Sequence, residues 1–323
     1  MWRRWLAVGL GVVALGCGGG SGGDTGFRVG LVTPGPVSDA GWNAAAYEGL
    51  QRIAKELGAQ TAHQESSTPA EFEEIFRDFG ARRFSLVFGH GFEFQDAAVT
   101  AGEAFPNTAY VVTSGRVVRP NVAGLVFELE EAAYLAGVLA GHLSDSGVTG
   151  MVGGMEIPPV RLIFDGYRRG FLAVRPDGVV KEVYLGNWED AAGARQASRA
   201  LVAQGADILI HNADAAGLGV FQACRETGTL AIGTNRDQAG VAPEIVVASA
   251  VIDVPGAMLR IAREVQQGRF EGRLVRFDLA SGIIDLVLNP ELESRISDET
   301  RVALQEARRD VVSGHVRLEH FGK

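Results

Sequence analysis

Trp42 stands between Asp39 and Asn43 in SDAGWNAAAYEGL (residues 38–50), where an apolar run gives way to a helical pattern. Two readings of this indole compete. Trp42, Ala46, Leu50, Ile53 and Leu57 recur at steps of three or four, so Trp42 would begin a core stripe. Alternatively, it sits where α/β proteins bind ligands, in a strand-to-helix loop at the carboxyl end of a parallel sheet. Asp39 has a bland role available as an N-cap acceptor for helix amides. Asp96 opens a second helical stretch in GFEFQDA, where a carboxylate suits the positive end of the helix dipole. Gly217 and Gly219 in ADAAGLG mark a strand-to-helix turn at which backbone amides would approach a ligand closely, although no phosphate-loop pattern accompanies them.

Catalytic constellations are missing from the chain. The six histidines, His63, His90, His142, His211, His315 and His320, have no metal-ligand spacing, and there is no Gly-x-Ser-x-Gly elbow. His90 and His211 lie at strand ends from which each would face a cleft as a polar contact. The chemistry on offer is binding, with no cofactor and no metal.

These groups are carried by alternating strand-like and helix-like segments. FRVGLVTPG leads into a helix over 41–57, and FSLVFGHG leads into EFQDAAVTAGEAF. TAYVVTSG, VTGMVGG, VVKEVYLGN, DILIHNA and TLAIGTN follow, each rich in Val, Ile and Leu and closed by a turn residue. Short continuous apolar runs of this kind belong to parallel strands buried on both faces, hence doubly wound α/β. Roughly ten strands exceed one comfortable sheet and suit two lobes of five or six joined by a hinge. Lobe 1 is expected over 27–126 plus 253–279, and lobe 2 over 127–252 plus 280–323. RFEGRLVRFDLASGIIDLVLN is read as a return through the hinge with one late strand, and Ser297 as the cap of a final helix.

The ends and the composition bound where the protein works. MWRRW is a basic n-region and LAVGLGVVAL an apolar h-region too short to span a bilayer comfortably, and small residues precede Cys17. Residues 1–17 resemble a bacterial lipoprotein signal, with Cys17 as the lipidated residue and residues 18–26 a Gly/Ser tether. This predicts a cell-envelope protein, lipid-anchored and facing the periplasm or exterior. With Cys17 lipidated, Cys224 has no partner within the chain, and it reads as a small buried hydrophobe. A net charge of −9 without basic clusters longer than Arg-Arg pairs argues against nucleic acid as a partner. A monomer that captures a small molecule is the expectation.

In order along about 290 residues, SDAGWNAAAYEGL, GHGFEFQDA, ELEEAAYLAGVLAG, GMVGGMEIPPVRLIFDGYRRGF, LGNWEDAAGARQASRALVAQGADILIHNADAAGLGVFQA and AIGTNRDQ match recurrent segments of one family. The chain resembles the basic membrane protein family of substrate-binding lipoproteins. That resemblance implies the type I periplasmic-binding fold, capture of a purine nucleoside or related flat heterocycle, and delivery to an ABC permease. It further implies that Trp42 and Trp188 stack on opposite faces of the ligand ring. Of the four tryptophans, Trp2 and Trp5 belong to the signal, so both tryptophans of the mature chain fall on this clamp. The resemblance also assigns Asp39, Asn43, Phe92, Asp96 and Gly217 to the ligand site.

Two positions depart from the family pattern. The stretch IGTNRDQ has Asn235 in place of a carboxylate that holds ribose hydroxyls, with Asp237 retained, and Ile252 stands in place of a lysine. Losing an anion and a cation together avoids leaving either one buried without a partner. Asp214, where the family has glycine, adds a carboxylate on the neighbouring loop. The altered sugar end leaves a nucleoside, a free purine base and another flat heterocycle such as riboflavin as ligands. A sensor or adhesin lipoprotein without a transport role is the alternative.

Overall fold

The computed structural model describes residues 26–38 and 41–318. Cys17, the signal and most of the tether, and Asp39, lie outside the described residues. The first half runs β1 (Arg28–Thr33), α1 (Trp42–Leu57), β2 (Gln60–Glu65), α2 (Pro69–Ala81), β3 (Leu86–His90), α3 (Gln95–Ala104), β4 (Ala109–Thr113) and β5 (Val122–Phe127). Next come α4 (Leu129–Leu143), β6 (Val148–Gly153), α5 (Pro158–Val174), β7 (Val179–Tyr184), α6 (Ala191–Ala203), β8 (Ile208–Asn212), α7 (Gly217–Thr227) and β9 (Leu230–Asn235). The chain finishes with β10 (Val246–Ile252), α8 (Val254–Gln266), β11 (Leu274–Phe277), β12 (Ile284–Leu288) and α9 (Asp298–Val312).

The strands form two six-stranded sheets, ordered β11-β5-β4-β3-β1-β2 and β12-β10-β9-β8-β6-β7. Every pairing between these strands is parallel except β10 with β12. This is the expected doubly wound two-lobe α/β architecture. The central strands β3, β4, β5 and β8 are buried at every residue, which is why they read as unbroken apolar runs. At the edge of the first sheet β2 (QTAHQE) is exposed or half-buried throughout, and its polar sequence conceals a strand from any search for apolar runs.

Instead of one late strand there are two, and they part company. β11 runs parallel beside β5 in the first sheet, and β12 antiparallel beside β10 in the second. The chain therefore crosses between lobes three times: after Phe127, after Ile252 and between Phe277 and Ile284. The crossings are bonded together. Arg276 pairs with Glu128 at 2.8 Å, Glu131 accepts from the Leu279 amide at 2.8 Å, and the Asp253 amide donates to the Ile283 carbonyl at 2.8 Å.

Helix positions follow from side-chain size. α1 buries Ala45, Ala46, Leu50 and Ile53 and stops at Gly58, whose φ of 64° is left-handed. α4 and α5 approach backbone to backbone, because a Cβ at Gly137 or Gly170 would overlap a carbonyl of the facing helix.

Candidate functional site

Between the lobes lies a cavity of about 600 Å3, within the range of small-molecule sites. Its wall is built from strand ends in both sheets: the loops after β1, β3 and β4 on one side, those after β6, β7, β8 and β9 on the other. Phe127 and Ile252, at two of the crossings, also line it. Among the described residues only four non-glycine residues have left-handed backbones, Arg83, Ser114, Asp214 and Asn235, and the last three line this cavity. Such conformations cost free energy and gather where a site needs a particular backbone, with Asp and Asn tolerating them best.

Trp42 occupies the first position of α1, with Gly41 as N-cap. There it is half-buried, packed against the core at one side and lining the cavity at the other. Its ring stacks on His90 with centroids 3.9 Å apart and an interplanar angle of 22°, and Phe127 meets it edge-on at 6.1 Å. His90 Nε2 lies 3.0 Å from the Trp42 carbonyl, which can only accept, so Nε2 carries the proton. Nδ1 then accepts from the Thr113 hydroxyl at 2.9 Å. Burial pushes the His90 pKa down to about 3, the Trp42 carbonyl offsetting part of the shift, so the imidazole is neutral at physiological pH.

Trp188 belongs to the loop after β7. Its ring packs against Gly154 so closely that a Cβ there would overlap it. Asn187 Oδ1 accepts from the amides of Glu189 (3.0 Å) and Asp190 (2.7 Å), and the Trp188 carbonyl accepts from Ala216 N at 2.9 Å. Asp190 in turn caps α6 through the Gly193 amide.

Polar groups cluster at one end. Asn235 Nδ2 donates to Asp214 Oδ1 at 3.3 Å, and Asn212 Nδ2 donates to the Thr234 hydroxyl at 3.3 Å. Ile252 shares this wall. Glu93, Glu130 and Glu189 bring further carboxylates to the lining. Glu93 is open to solvent within the cleft yet crowded by protein on its other sides, which raises its carboxyl above the usual range.

Of the residues singled out in the sequence, Trp42, Asn43, Phe92, Trp188, Asp214 and Asn235 line the cavity together. Three others do not. Asp96 is exposed in the first turn of α3, where it faces the helix dipole. Asp237 is exposed and accepts from the Ala239 amide at 3.0 Å. Gly217 is buried behind the wall, where a Cβ would overlap the His211 ring, so its smallness serves packing. Neither His90 nor His211 faces the cleft; both are buried beneath it. Sequence reasoning missed the apolar second-lobe wall of Met155, Ile157, Val160 and Ile163, and the role of Gly154. The doubled glycine before Met155 was the one available signal.

The sequence profile of the ABC transporter substrate-binding, PnrA-like family matches residues 27–315. The chain belongs to the Bmp family. Its relatives include basic membrane protein A of Borreliella burgdorferi, 28% identical over 88% of this chain and 86% of that protein. The ABC transporter nucleoside-binding protein BmpA of Lactococcus lactis is 27% identical, covering 87% of this chain and 85% of the relative. A purine-binding protein of Brucella abortus is 22% identical over 94% of this chain and 87% of its own length. In three dimensions, an ABC transporter solute-binding protein from Aeropyrum pernix matches with a TM-score of 0.85 at 22% identity, over 92% of this chain and 94% of that one. This Bmp-family chain is therefore a substrate-binding protein of the ABC transporter class.

Proposed function

We propose that this protein is a membrane-anchored substrate-binding lipoprotein of an ABC importer, tethered through Cys17, that captures a purine nucleoside or purine base between Trp42 and Trp188. One observation carries the reading: both tryptophans of the mature chain line a single interlobe cavity. Two indoles offer apolar faces suited to a flat ring, each aromatic pairing adding about 0.5–1.5 kcal/mol beyond area burial. The nucleoside-binding and purine-binding relatives support the same ligand class. Asn43 and the Asp214–Asn235 pair supply edge contacts, and among the described residues no group of His, Cys, Asp and Glu side chains is arranged to hold a metal.

A second reading, another flat heterocycle such as riboflavin, draws on the polar end, where Asn235 and Ile252 stand in place of the family's carboxylate and lysine. Thermal-shift and tryptophan-quenching titrations against purine bases, purine and pyrimidine nucleosides and riboflavin test both readings. A raised melting temperature with quenching for one purine class is the expected result. A response to riboflavin alone transfers the assignment to the second reading, and silence across the panel from folded protein overturns both. Asn235→Asp combined with Ile252→Lys is expected to shift preference from free bases toward nucleosides.

A further inference from the structure

The charge of the cavity wall specifies the ligand more narrowly than flatness does. Four carboxylates line it, Glu93, Glu130, Glu189 and Asp214, and no lysine, arginine or histidine does so among the described residues. Arg236, next to Asn235, reaches away from the cavity to Glu48 at 3.0 Å, and Arg161 on α5 pairs with Glu156. Two of the helix N-termini at the cavity, those of α4 and α5, are poor anion holders. α5 opens with Pro158 and Pro159, which have no N–H to offer, and the first turn of α4 carries Glu130 and Glu131. Two indoles complete the set, and a tryptophan face is the best side-chain surface for a cation.

We propose that the cavity selects flat heteroaromatic rings that are cationic or carry exocyclic amines, with these four carboxylates as the recognising groups, and rejects rings bearing phosphate, carboxylate or sulfonate. This deepens the purine reading and borrows its stacking geometry, but the charge rule is separable from the purine ring. The carboxylates accept hydrogen bonds from amino groups along the ring edge. A ring cation gains from both the indole faces and the acidic wall, while an anion meets like charge and only the neutral donors of side chains such as Asn43 and Asn235.

The test is a set of matched titrations of the full-length protein at fixed ionic strength, read by tryptophan fluorescence and calorimetry. The pairs are 7-methylguanosine against guanosine, adenosine against adenosine 5′-monophosphate, and proflavine against acridine-9-carboxylate. The more positively charged member of each pair, 7-methylguanosine, adenosine and proflavine, is expected to bind about tenfold tighter or more, as one added charge in a partly desolvated site implies. Glu93→Gln and Asp214→Asn should each narrow the gap several-fold, and either variant alone suffices if the other fails to fold. Should every purine fail while proflavine binds and acridine-9-carboxylate does not, the purine reading falls and the charge rule stands. Purine binding that ignores charge, with the monophosphate equal to adenosine, overturns the charge rule and leaves the purine reading intact. Absence of binding by both acridines also overturns it.

Discussion

In the first lobe Trp42 is fixed at the start of a helix and lies flat on His90, whose two nitrogens are bonded to the Trp42 carbonyl and the Thr113 hydroxyl. In the second lobe Trp188 rides on a loop, seated on the bare backbone of Gly154 and fastened through Asn187 and Ala216. The sheet orders make β3 and β8 equivalent, and each ends in a fully buried histidine region. Yet His211 backs no indole: its Nε2 donates to Gln238 Oε1 at 3.0 Å, and its Nδ1 has no partner. The registers place the two histidines one residue apart, His90 matching Asn212 and His211 matching Gly89, so the rings leave opposite faces of their sheets, one to buttress an indole and the other to pack a turn. The lobe 1 indole is thus backed by a buried side chain and the lobe 2 indole by bare backbone, and lobe 2 also carries the Asp214–Asn235 polar pair.

The largest expected effect probes both histidines together. Burial lowers His90 to about 3 and His211 to about 4, from an ordinary value of 6.5. Between those values and 6.5 the unfolded chain binds protons that the native histidines refuse. Native stability therefore holds above pH 6.5 and falls as pH drops, by about 3 kcal/mol for each histidine at pH 4. Urea unfolding at stepped pH measures this. His90→Gln and His211→Gln should each remove about half of the histidine-linked acid loss, but only His90→Gln should also weaken ligand binding. Equal binding losses would mean that the two lobes are buttressed alike.

Trp42→Ala and Trp188→Ala sharpen the contrast on the ligand side. Each should cost about 1–3 kcal/mol of affinity by calorimetry, as loss of one stacking face does. Trp42→Ala should in addition lower the melting temperature, because it uncovers His90 and Phe127. Normal affinity in both variants would make the tryptophans part of the core and move the site elsewhere.

Gly154→Ala tests the second seat without touching the indole itself. The added methyl overlaps the Trp188 ring, and overpacking of this kind costs about 1–3 kcal/mol. Displacement of Trp188 predicts weaker binding and a shifted tryptophan emission, with the Trp42 environment unchanged. Full retention of affinity would show that the loop after β7 re-seats Trp188 without loss.

These contrasts were unevenly legible in the sequence. The strands facing helices on both sides declared themselves through continuous apolar runs, and Trp42 through its place at a strand-to-helix junction. β2 did not, because an edge strand of this doubly wound sheet needs little apolar surface. The two late strands merged into one expectation, since nothing local says that β11 and β12 belong to different sheets. Asp96 and Asp237 have the chemistry of ligand contacts, but their backbone positions turn them to solvent as a helix-dipole partner and a turn acceptor. Gly217 looked like room for a ligand and is room for a histidine ring. His90 was visible as a strand end but not as a buttress, because stacking between β3 and α1 is a product of tertiary placement.

The smallest expected effect concerns how the lobes meet. Arg236, on the second-lobe loop beside Asn235, pairs with Glu48 on α1 at 3.0 Å, so one contact links the polar end of the cavity to the helix that carries Trp42. Both side chains are substantially solvent-exposed, which limits such a pair to about 0.2–1 kcal/mol and makes it sensitive to salt. Arg236→Ala should therefore leave the melting temperature within a degree or two and raise Kd by less than about fivefold. The loss should appear mainly as faster ligand release in stopped-flow quenching, and it should vanish at high ionic strength. Glu48→Ala should give the same phenotype, and the double variant no more than either alone. Additive losses would mean that the two residues act separately, leaving the crossing strands and the cavity wall to hold the lobes together.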